Sequence, residues 1–182
     1  MTAVEILVDE HQLIKKVLDW GEREIARITQ GVAPDAGKLI QAVDFIRNFA
    51  DRCHHAKEEG LLFARLNDRG LPRQGGPIAA MLYEHDKGRA YVAAVAAALE
   101  GAGRGESGSL EALRQNLGAY ISLLRAHIDK EDHVLYPMAG RLLGPADQEW
   151  LLREFDRLER EETGAGVHDK YRHMAEEFAS LP

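Results

Sequence analysis

The chain carries one pattern of histidine and glutamate residues twice. His11 is followed 43 residues later by His54, which begins a His-x-x-x-Glu motif, and His85 is followed 42 residues later by His127, which begins a second. A repeat at a fixed spacing constrains the fold before any local motif is considered. Each copy offers two imidazoles and one carboxylate, and the two copies together suit a pair of transition-metal ions, with iron as the leading candidate.

Composition narrows the class of protein without identifying its chemistry. A length of 182 residues is enough for a sizeable core. The formal net charge of −7 argues against a nucleic-acid partner. A single cysteine, Cys53, fits a reducing compartment. Because we find neither a signal peptide nor an apolar run of membrane-spanning length, we expect a cytoplasmic protein with no membrane partner.

Apolar periodicity of helical type dominates the chain, and strand alternation is nearly absent. Thr2 followed by Glu5 predicts a capping box at the start of the first helix, and Ser109 is the predicted N-cap of the fourth. We predict an all-α protein: an antiparallel up-down-up-down four-helix bundle over residues 1–143, with two additional C-terminal helices in an extension, 144–182, that packs on it. The predicted helices span residues 2–30, 38–67, 77–100, 109–143, 145–162 and 167–179.

The repeated histidines and glutamates fall on the apolar stripes of the four long helices. His11, for example, lies between Leu7 and Ile14 on the first stripe. Residues four apart share a helix face, so each His-x-x-x-Glu motif directs both side chains inward. A buried carboxylate needs a cation, and no Lys or Arg is evident on the inward faces. We therefore predict metal ligation by His11, His54, Glu58, His85, His127 and Glu131.

Simpler interpretations apply to the remaining candidates. A single His/Glu pair on a helix is usually a solvated surface pair, and only its repetition in register favours a metal. Glu10 and Glu84 match between the copies, and they either orient an imidazole or are exposed acids. Cys53 is most simply a core residue, and Tyr83 is a weak candidate for an oxygen ligand. Among the histidines outside the pattern, His55 is expected next to the ligands or on the surface, and His133 is expected to face solvent. Surface or packing roles are expected for His168 and His173.

The order of these motifs resembles the bacterial hemerythrin-like (HHE cation-binding) proteins. The stretches that carry the resemblance are 54–63, 75–89 and 127–137, and it covers about residues 6–143. It implies a non-haem di-iron centre with an oxo or hydroxo bridge. One iron would take His11 and His54, the other His85 and His127, and Glu58 and Glu131 would bridge them.

The chain departs from the oxygen-carrying hemerythrins at Arg89, where those proteins place an additional histidine one turn beyond the third-helix ligand. With one imidazole fewer, at least one more coordination position is open, so simple reversible oxygen carriage is not expected. The resemblance implies a protein that binds iron and small diatomic ligands (O₂ or NO) in sensing, scavenging or storage. Two alternatives are a di-iron enzyme that turns over NO, peroxide or O₂ with an external reductant, and an iron-handling or repair protein. Catalytic residues and any redox or signalling partner protein are not identified.

Overall fold

The first helix, α1, begins where the sequence predicts. In the computed structural model, which describes residues 1–164 and 166–181, α1 spans Ala3–Thr29. The Thr2 hydroxyl accepts a hydrogen bond from the Glu5 backbone N–H, and the Glu5 carboxylate accepts one from the Thr2 N–H. These reciprocal bonds satisfy two of the donors that a helix start leaves free, and they confirm the predicted capping box.

The second helix, α2, is one continuous rod, but it is not uniformly α-helical as we predicted. It comprises an α-helix at Ala36–Phe45, a π-helix at Ile46–His55, a second π-helical turn at Glu58–Leu62 and an α-helix at Phe63–Asp68. The backbone N–H of Phe63 bonds to the carbonyl of Glu58, five residues earlier. Such widened turns are frequent at functional sites.

The third helix, α3, spans Gly76–Gly103, so the connection after it, which the predicted helix bounds place at 101–108, is shorter than expected. The fourth helix, α4, begins at Ser107 with Glu106 at the N-cap, so the prediction of Ser109 as the N-cap is wrong. The start of α4 packs closely against the end of α3. A Cβ at Gly101 would lie 2.1 Å from the Ser109 hydroxyl, so only glycine fits there.

The rest of α4 repeats the construction of α2. It is α-helical over Ser107–Lys130, π-helical over Glu131–Leu135 and α-helical again over Tyr136–Leu142. The Tyr136 N–H bonds to the Glu131 carbonyl, again across five residues. In both helices the widened turn begins at the glutamate of the His-x-x-x-Glu motif.

Two C-terminal helices cover the faces of α1 and α2. The fifth, α5, spans Pro145–Leu158 and continues as a π-helical turn over Glu159–Thr163, and the sixth, α6, spans Val167–Ser180. Helix α6 packs along α1, where the Phe178 and Trp20 rings are 4.8 Å apart. The described residues contain no strand, and none of their helices is both long and apolar enough to cross a membrane.

The core consists of two apolar clusters. One contains Leu7, Leu62 and Met81, and the other contains Ile14 and Val92, among others. Each of α1–α4 contributes to both clusters. The repeated histidines and glutamates lie on the four helices between these contributions, so apolar layers enclose them on two sides.

Candidate metal centre

The six residues predicted as ligands come together between the two apolar clusters. Helices α1 and α3 contribute one histidine each, and α2 and α4 contribute a His-x-x-x-Glu motif each. All six residues are buried, at no more than 1 % exposure: His11, His54, Glu58, His85, His127 and Glu131. Six polar groups enclosed in an apolar interior need partners that compensate for the loss of water.

The four histidines form two pairs. The Nε2 atoms of His11 and His54 are 3.0 Å apart, and so are those of His85 and His127. Metal–nitrogen bonds are about 2.1 Å long, so two adjacent ligands at right angles on one ion lie about 3.0 Å apart. The spacing within each pair therefore matches two imidazoles that share one metal ion.

Glu58 reaches one member of each histidine pair. Its Oε2 lies 3.7 Å from Nε2 of His54 and 3.5 Å from Nε2 of His85. Its other oxygen, Oε1, accepts a 2.7 Å hydrogen bond from the Tyr136 hydroxyl. The carboxylate is therefore placed between the two pairs, as a bridging ligand would be.

Glu131 occupies the complementary position. Its Oε2 lies 3.3 Å from Nε2 of His11 and 3.2 Å from Nε2 of His127. Among the described residues, both oxygens of Glu131 and Oε2 of Glu58 are buried without a hydrogen-bond partner. Leaving such atoms unsatisfied costs free energy, and a bound cation would satisfy them.

The pKa shifts in the protein without metal also indicate that the centre needs positive charge. Burial and the negative charge of Glu131 raise the pKa of Glu58 well above its usual range. Burial opposes ionisation of Glu131 as well, but the positive charges of His127 and His11 outweigh it and lower the pKa of Glu131. Burial likewise works against the charge of His127, but Glu131 and Glu84 together raise its pKa to about 9. Without a metal, protons must supply the positive charge at the centre.

Each of the four histidines is oriented by an acid on its outer nitrogen, Nδ1. An ionised carboxylate only accepts hydrogen bonds, so Nδ1 carries the proton and Nε2 keeps a lone pair for a metal. The distances from Nδ1 to the carboxylate oxygen are 2.7 Å for His11–Asp132, 2.9 Å for His54–Glu10, 2.7 Å for His85–Glu59 and 2.9 Å for His127–Glu84.

Each of these acids is paired in turn with a basic side chain. The pairs are Glu10 with Lys57, Glu84 with Lys130, Asp132 with Lys15 at 3.1 Å and Glu59 with Arg89 at 2.6 Å. The arrangement is duplicated like the ligands, since Lys57 and Lys130 each precede a motif glutamate, and Lys15 and Arg89 each follow a pair histidine by four residues. It neutralises the four outer acids, so only Glu58 and Glu131 remain to balance a metal.

Sequence reasoning named Glu10 and Glu84 as possible partners of the imidazoles but missed the other two acids and the basic side chains, although a signal for them is present. Lys57-Glu58-Glu59 and Lys130-Glu131-Asp132 are the same triplet of residue types in the two copies. The expectation that no Lys or Arg lies on the inward faces is wrong for Lys57, because its ammonium is fully buried and contacts Glu10 and Glu159.

The other candidates are distributed as follows. Glu10 and Glu84 orient imidazoles, which decides between the two alternatives left open for them. Tyr83 is 61 % exposed and is excluded as a ligand, because a tyrosine on the outer face of α3 cannot reach the interior. Cys53 is buried in the core, as expected.

The four remaining histidines differ in position. His133 and His173 are exposed, as predicted, and each Nδ1 contacts a carbonyl of its own helix. His168 is half-buried, packs against Phe49 and lies 3.5 Å from Glu10. His55 is 6 % exposed and lies directly against His85. It therefore lies in the interior, beside the predicted ligands, and not on the surface.

Comparisons with known proteins give a family match. Residues 2–139 match the family described as the hemerythrin HHE cation-binding domain. Proteins named only as uncharacterized, from Mycobacterium bovis and Mycobacterium tuberculosis, are 25 % identical over 164 residues, or 90 % of this chain. The chain spans 64 % of the length of these relatives. No solved structure gives a significant match.

Proposed function

The chain belongs to the hemerythrin HHE cation-binding family, and from that premise we propose that it is a non-haem di-iron protein that binds small diatomic ligands such as O₂ and NO. In this proposal the four long helices form an up-down-up-down bundle around the metals. His11 and His54 hold one iron, His85 and His127 hold the other, and both motif glutamates bridge the two irons.

One observation carries the proposal. The two Nε2 atoms within each pair of buried histidines lie 3.0 Å apart, beside carboxylate oxygens that have no hydrogen-bond partner among the described residues. Nitrogen and carboxylate donors in this proportion suit iron and related transition metals rather than Mg²⁺ or Ca²⁺, which prefer all-oxygen sites. Two bound irons would supply a redox-active centre with open positions for small ligands. The outer acids hold the imidazoles in place, and the apolar clusters exclude bulk water.

A cavity supports access for small molecules to the centre. It has a volume of about 280 Å³, and its walls include His85, His127 and the apolar side chains of Val92 and Leu124. A water molecule occupies about 30 Å³ in the liquid, so the cavity has room for several small molecules.

The same cavity favours a second candidate function, an enzyme that turns over NO, peroxide or O₂ with an external reductant. The cavity is larger than a diatomic ligand needs. The Tyr120 hydroxyl, which is buried without a hydrogen-bond partner among the described residues, belongs to a residue that lines it. A substrate with a polar group could fill this volume and pair with that hydroxyl.

Metal content tests the proposal. After iron-replete expression, we expect two irons per chain in the wild type and in His133→Ala, whose ring is exposed on α4. His127→Ala on the same helix should lose at least one iron, because it removes a nitrogen donor. A content below about 0.2 transition-metal ions per wild-type chain would contradict a resident metal centre.

Ligand titration separates the two candidate functions. The anaerobic, reduced protein is titrated with NO, O₂ and hydrogen peroxide while optical spectra are recorded. Stoichiometric binding without turnover supports a binding protein, and sustained consumption with an added reductant supports an enzyme. Unchanged spectra with all three reagents, in protein that holds two irons, would exclude both.

A further inference from the structure

The cavity beside the metal centre has a buried end and an exposed end. His85 and His127, which line it at the centre, are buried, whereas Arg47 and Ala93, which also line it, are exposed. Arg47 and His55 both line the cavity from α2 and are eight residues apart, which is at most about 12 Å along the helix axis. The cavity is therefore long enough for a molecule larger than a diatomic ligand.

The remaining wall of this cavity is largely apolar. Val92 and Leu124 contribute aliphatic side chains, and Gly88 leaves space, because a Cβ there would meet only the ring of Tyr120, at 3.5 Å. An engineered apolar cavity of about 150 Å³ in another protein holds benzene. With a volume of about 280 Å³, the present cavity has room for a six-membered ring that carries a short chain.

Two acids line the cavity, and both are neutralised by neighbouring side chains. Asp51 accepts a hydrogen bond of 2.9 Å from Arg89. Glu84 is paired with Lys130, and one of its oxygens lies 2.9 Å from Nδ1 of His127. These carboxylates therefore do not require a cationic ligand.

Arg47, at the exposed end, differs from these charged groups. No other described residue forms an ion pair or a hydrogen bond with its side chain. A guanidinium group matches the geometry of a carboxylate, to which it donates two parallel hydrogen bonds. The free charge of Arg47 favours an anion at this end of the cavity, and the apolar wall favours a ring or a hydrocarbon chain behind it.

We propose that this cavity binds a small aromatic carboxylate, with the carboxylate at Arg47 and the ring directed toward His85 and His127. The proposal deepens the second candidate function, since it names the class of organic molecule that would share the cavity with O₂, NO or peroxide. It rests on that function for any reaction at the centre, whereas binding requires only the cavity. A centre that handles diatomic ligands alone needs neither a space of this size nor a free guanidinium.

Two probes of similar shape test the role of charge. The carboxylate 3-phenylpropionate and its neutral amide, 3-phenylpropanamide, are titrated into the protein, as isolated with its metals, in a calorimeter. We expect the wild type to bind the carboxylate at least about fivefold more tightly than the amide. Arg47→Gln should abolish this preference and leave the affinity for the amide unchanged. The control is Arg172→Gln, which removes an exposed arginine of α6 and should keep the preference.

Two further substitutions test the location of the ligand. Gly88→Leu fills the cavity beside Tyr120, and it should weaken both probes at least about tenfold, because the ring can no longer be buried there. Ala93→Phe narrows the cavity from an exposed position and should weaken both probes in the same direction. Because its site is exposed, Ala93→Phe also decides the matter if Gly88→Leu does not fold.

Several results would overturn the proposal. They are equal affinities of the wild type for the two probes, no binding of either probe at millimolar concentrations, and an unchanged preference in Arg47→Gln. Unchanged binding to folded Gly88→Leu and Ala93→Phe would place the ligand elsewhere and overturn it as well.

Iron is determined in the same samples, which keeps this proposal distinct from the proposed function. A wild type that binds the carboxylate but holds no iron would refute the proposed function and support the binding site. A wild type that holds two irons but binds neither probe would refute only the binding site.

Discussion

The pKa values of two adjacent glutamates on α2 are shifted in opposite directions. Glu58 is fully buried, and burial together with Glu131 raises its pKa. Glu59 is half-buried, and although burial opposes its ionisation, hydrogen bonds from His85 and Arg89 lower its pKa. In the metal-free protein, one carboxylate therefore destabilises the fold at neutral pH and its neighbour stabilises it.

This contrast predicts opposite effects of two matched substitutions on the metal-free protein. The unfolded pKa of glutamate is about 4.3. Above it, ionisation of Glu58 opposes folding increasingly as pH rises toward the raised folded pKa, so Glu58→Gln should raise the melting temperature at pH 7.5. Glu59 stabilises the fold above pH 4.3 and loses this effect as pH falls through its lowered folded pKa, so Glu59→Gln should lower the melting temperature at pH 7.5.

Thermal melts at pH 7.5 and pH 4 check both signs. A change of about 1 kcal/mol shifts the midpoint of a chain of this size by about 2–4 °C. For Glu58→Gln the gain should shrink toward pH 4, where Glu58 is protonated in the folded state and mostly protonated in the unfolded state. A lower midpoint for Glu58→Gln than for the wild type at pH 7.5 would contradict the like-charge pair.

At this scale, the sequence predicted the six residues that the structure brings together, but it left the roles of Glu10, Glu84 and His55 open. The four-residue spacing of the motif places His54 and Glu58 on one helix face, whatever the exact helix geometry. His55 is one residue farther along, which in an α-helix is a rotation of about 100° and suggested a place off the apolar stripe. It ends a π-helical stretch, where each residue turns through a smaller angle, so both rings face the interior. The residue types in 46–55 do not predict a π-helix.

At the scale of helices, α6 stabilises the molecule through a contact remote from the metal centre. Phe178 is buried between Trp20 of α1 and the side chain of Lys38. Trp20 lies nine residues beyond His11, which is about 13 Å along the helix. A substitution of Phe178 should therefore lower the stability of the protein without changing its metal binding.

We predict that Phe178→Ala destabilises the protein by about 3–5 kcal/mol, because it leaves a cavity against α1. The drop in midpoint should be on the order of 10 °C, while the iron content stays at two per chain. Glu177→Ala, at an exposed position on the same helix, should change stability by no more than about 0.5 kcal/mol. Loss of iron from folded Phe178→Ala would show that α6 shapes the centre directly.

Unlike the contact of Phe178, a contact of helix α5 reaches the residues that orient the ligands. Glu159 contacts the buried Lys57, and Lys57 contacts Glu10, the acid on His54. Composition and periodicity predicted α5 and α6 as helices but gave no register against α1 and α2. The contact of Glu159 with Lys57 joins residues 102 positions apart and depends on that register.

At the scale of the whole molecule, the proposed ligands come from four helices, so bound metal connects all of them. Metal that binds only the folded state stabilises it by mass action, by about 4 kcal/mol at a free concentration 1,000 times the dissociation constant. We predict that stripping iron lowers the melting temperature and that Fe²⁺ restores it.

Calorimetry of the iron-loaded, stripped and reconstituted protein checks this prediction. Mg²⁺ is the control, since an ion that prefers oxygen ligands should not restore the transition. Acid should release the iron as the imidazoles take up protons. Identical midpoints for stripped and loaded protein would exclude a structural contribution of the metal.

The crosswise reach of the two glutamates has an evolutionary consequence. Glu58 approaches a histidine from each copy of the motif, and so does Glu131. Two identical half-length chains in a symmetric dimer would supply the same set of donors, but every change in one half would appear in the other. Duplication within one chain removes that restriction. It allows one copy to carry His55 where the other carries Ile128, and Phe63 where the other carries Tyr136, so that two sites built on the same motif can specialise separately.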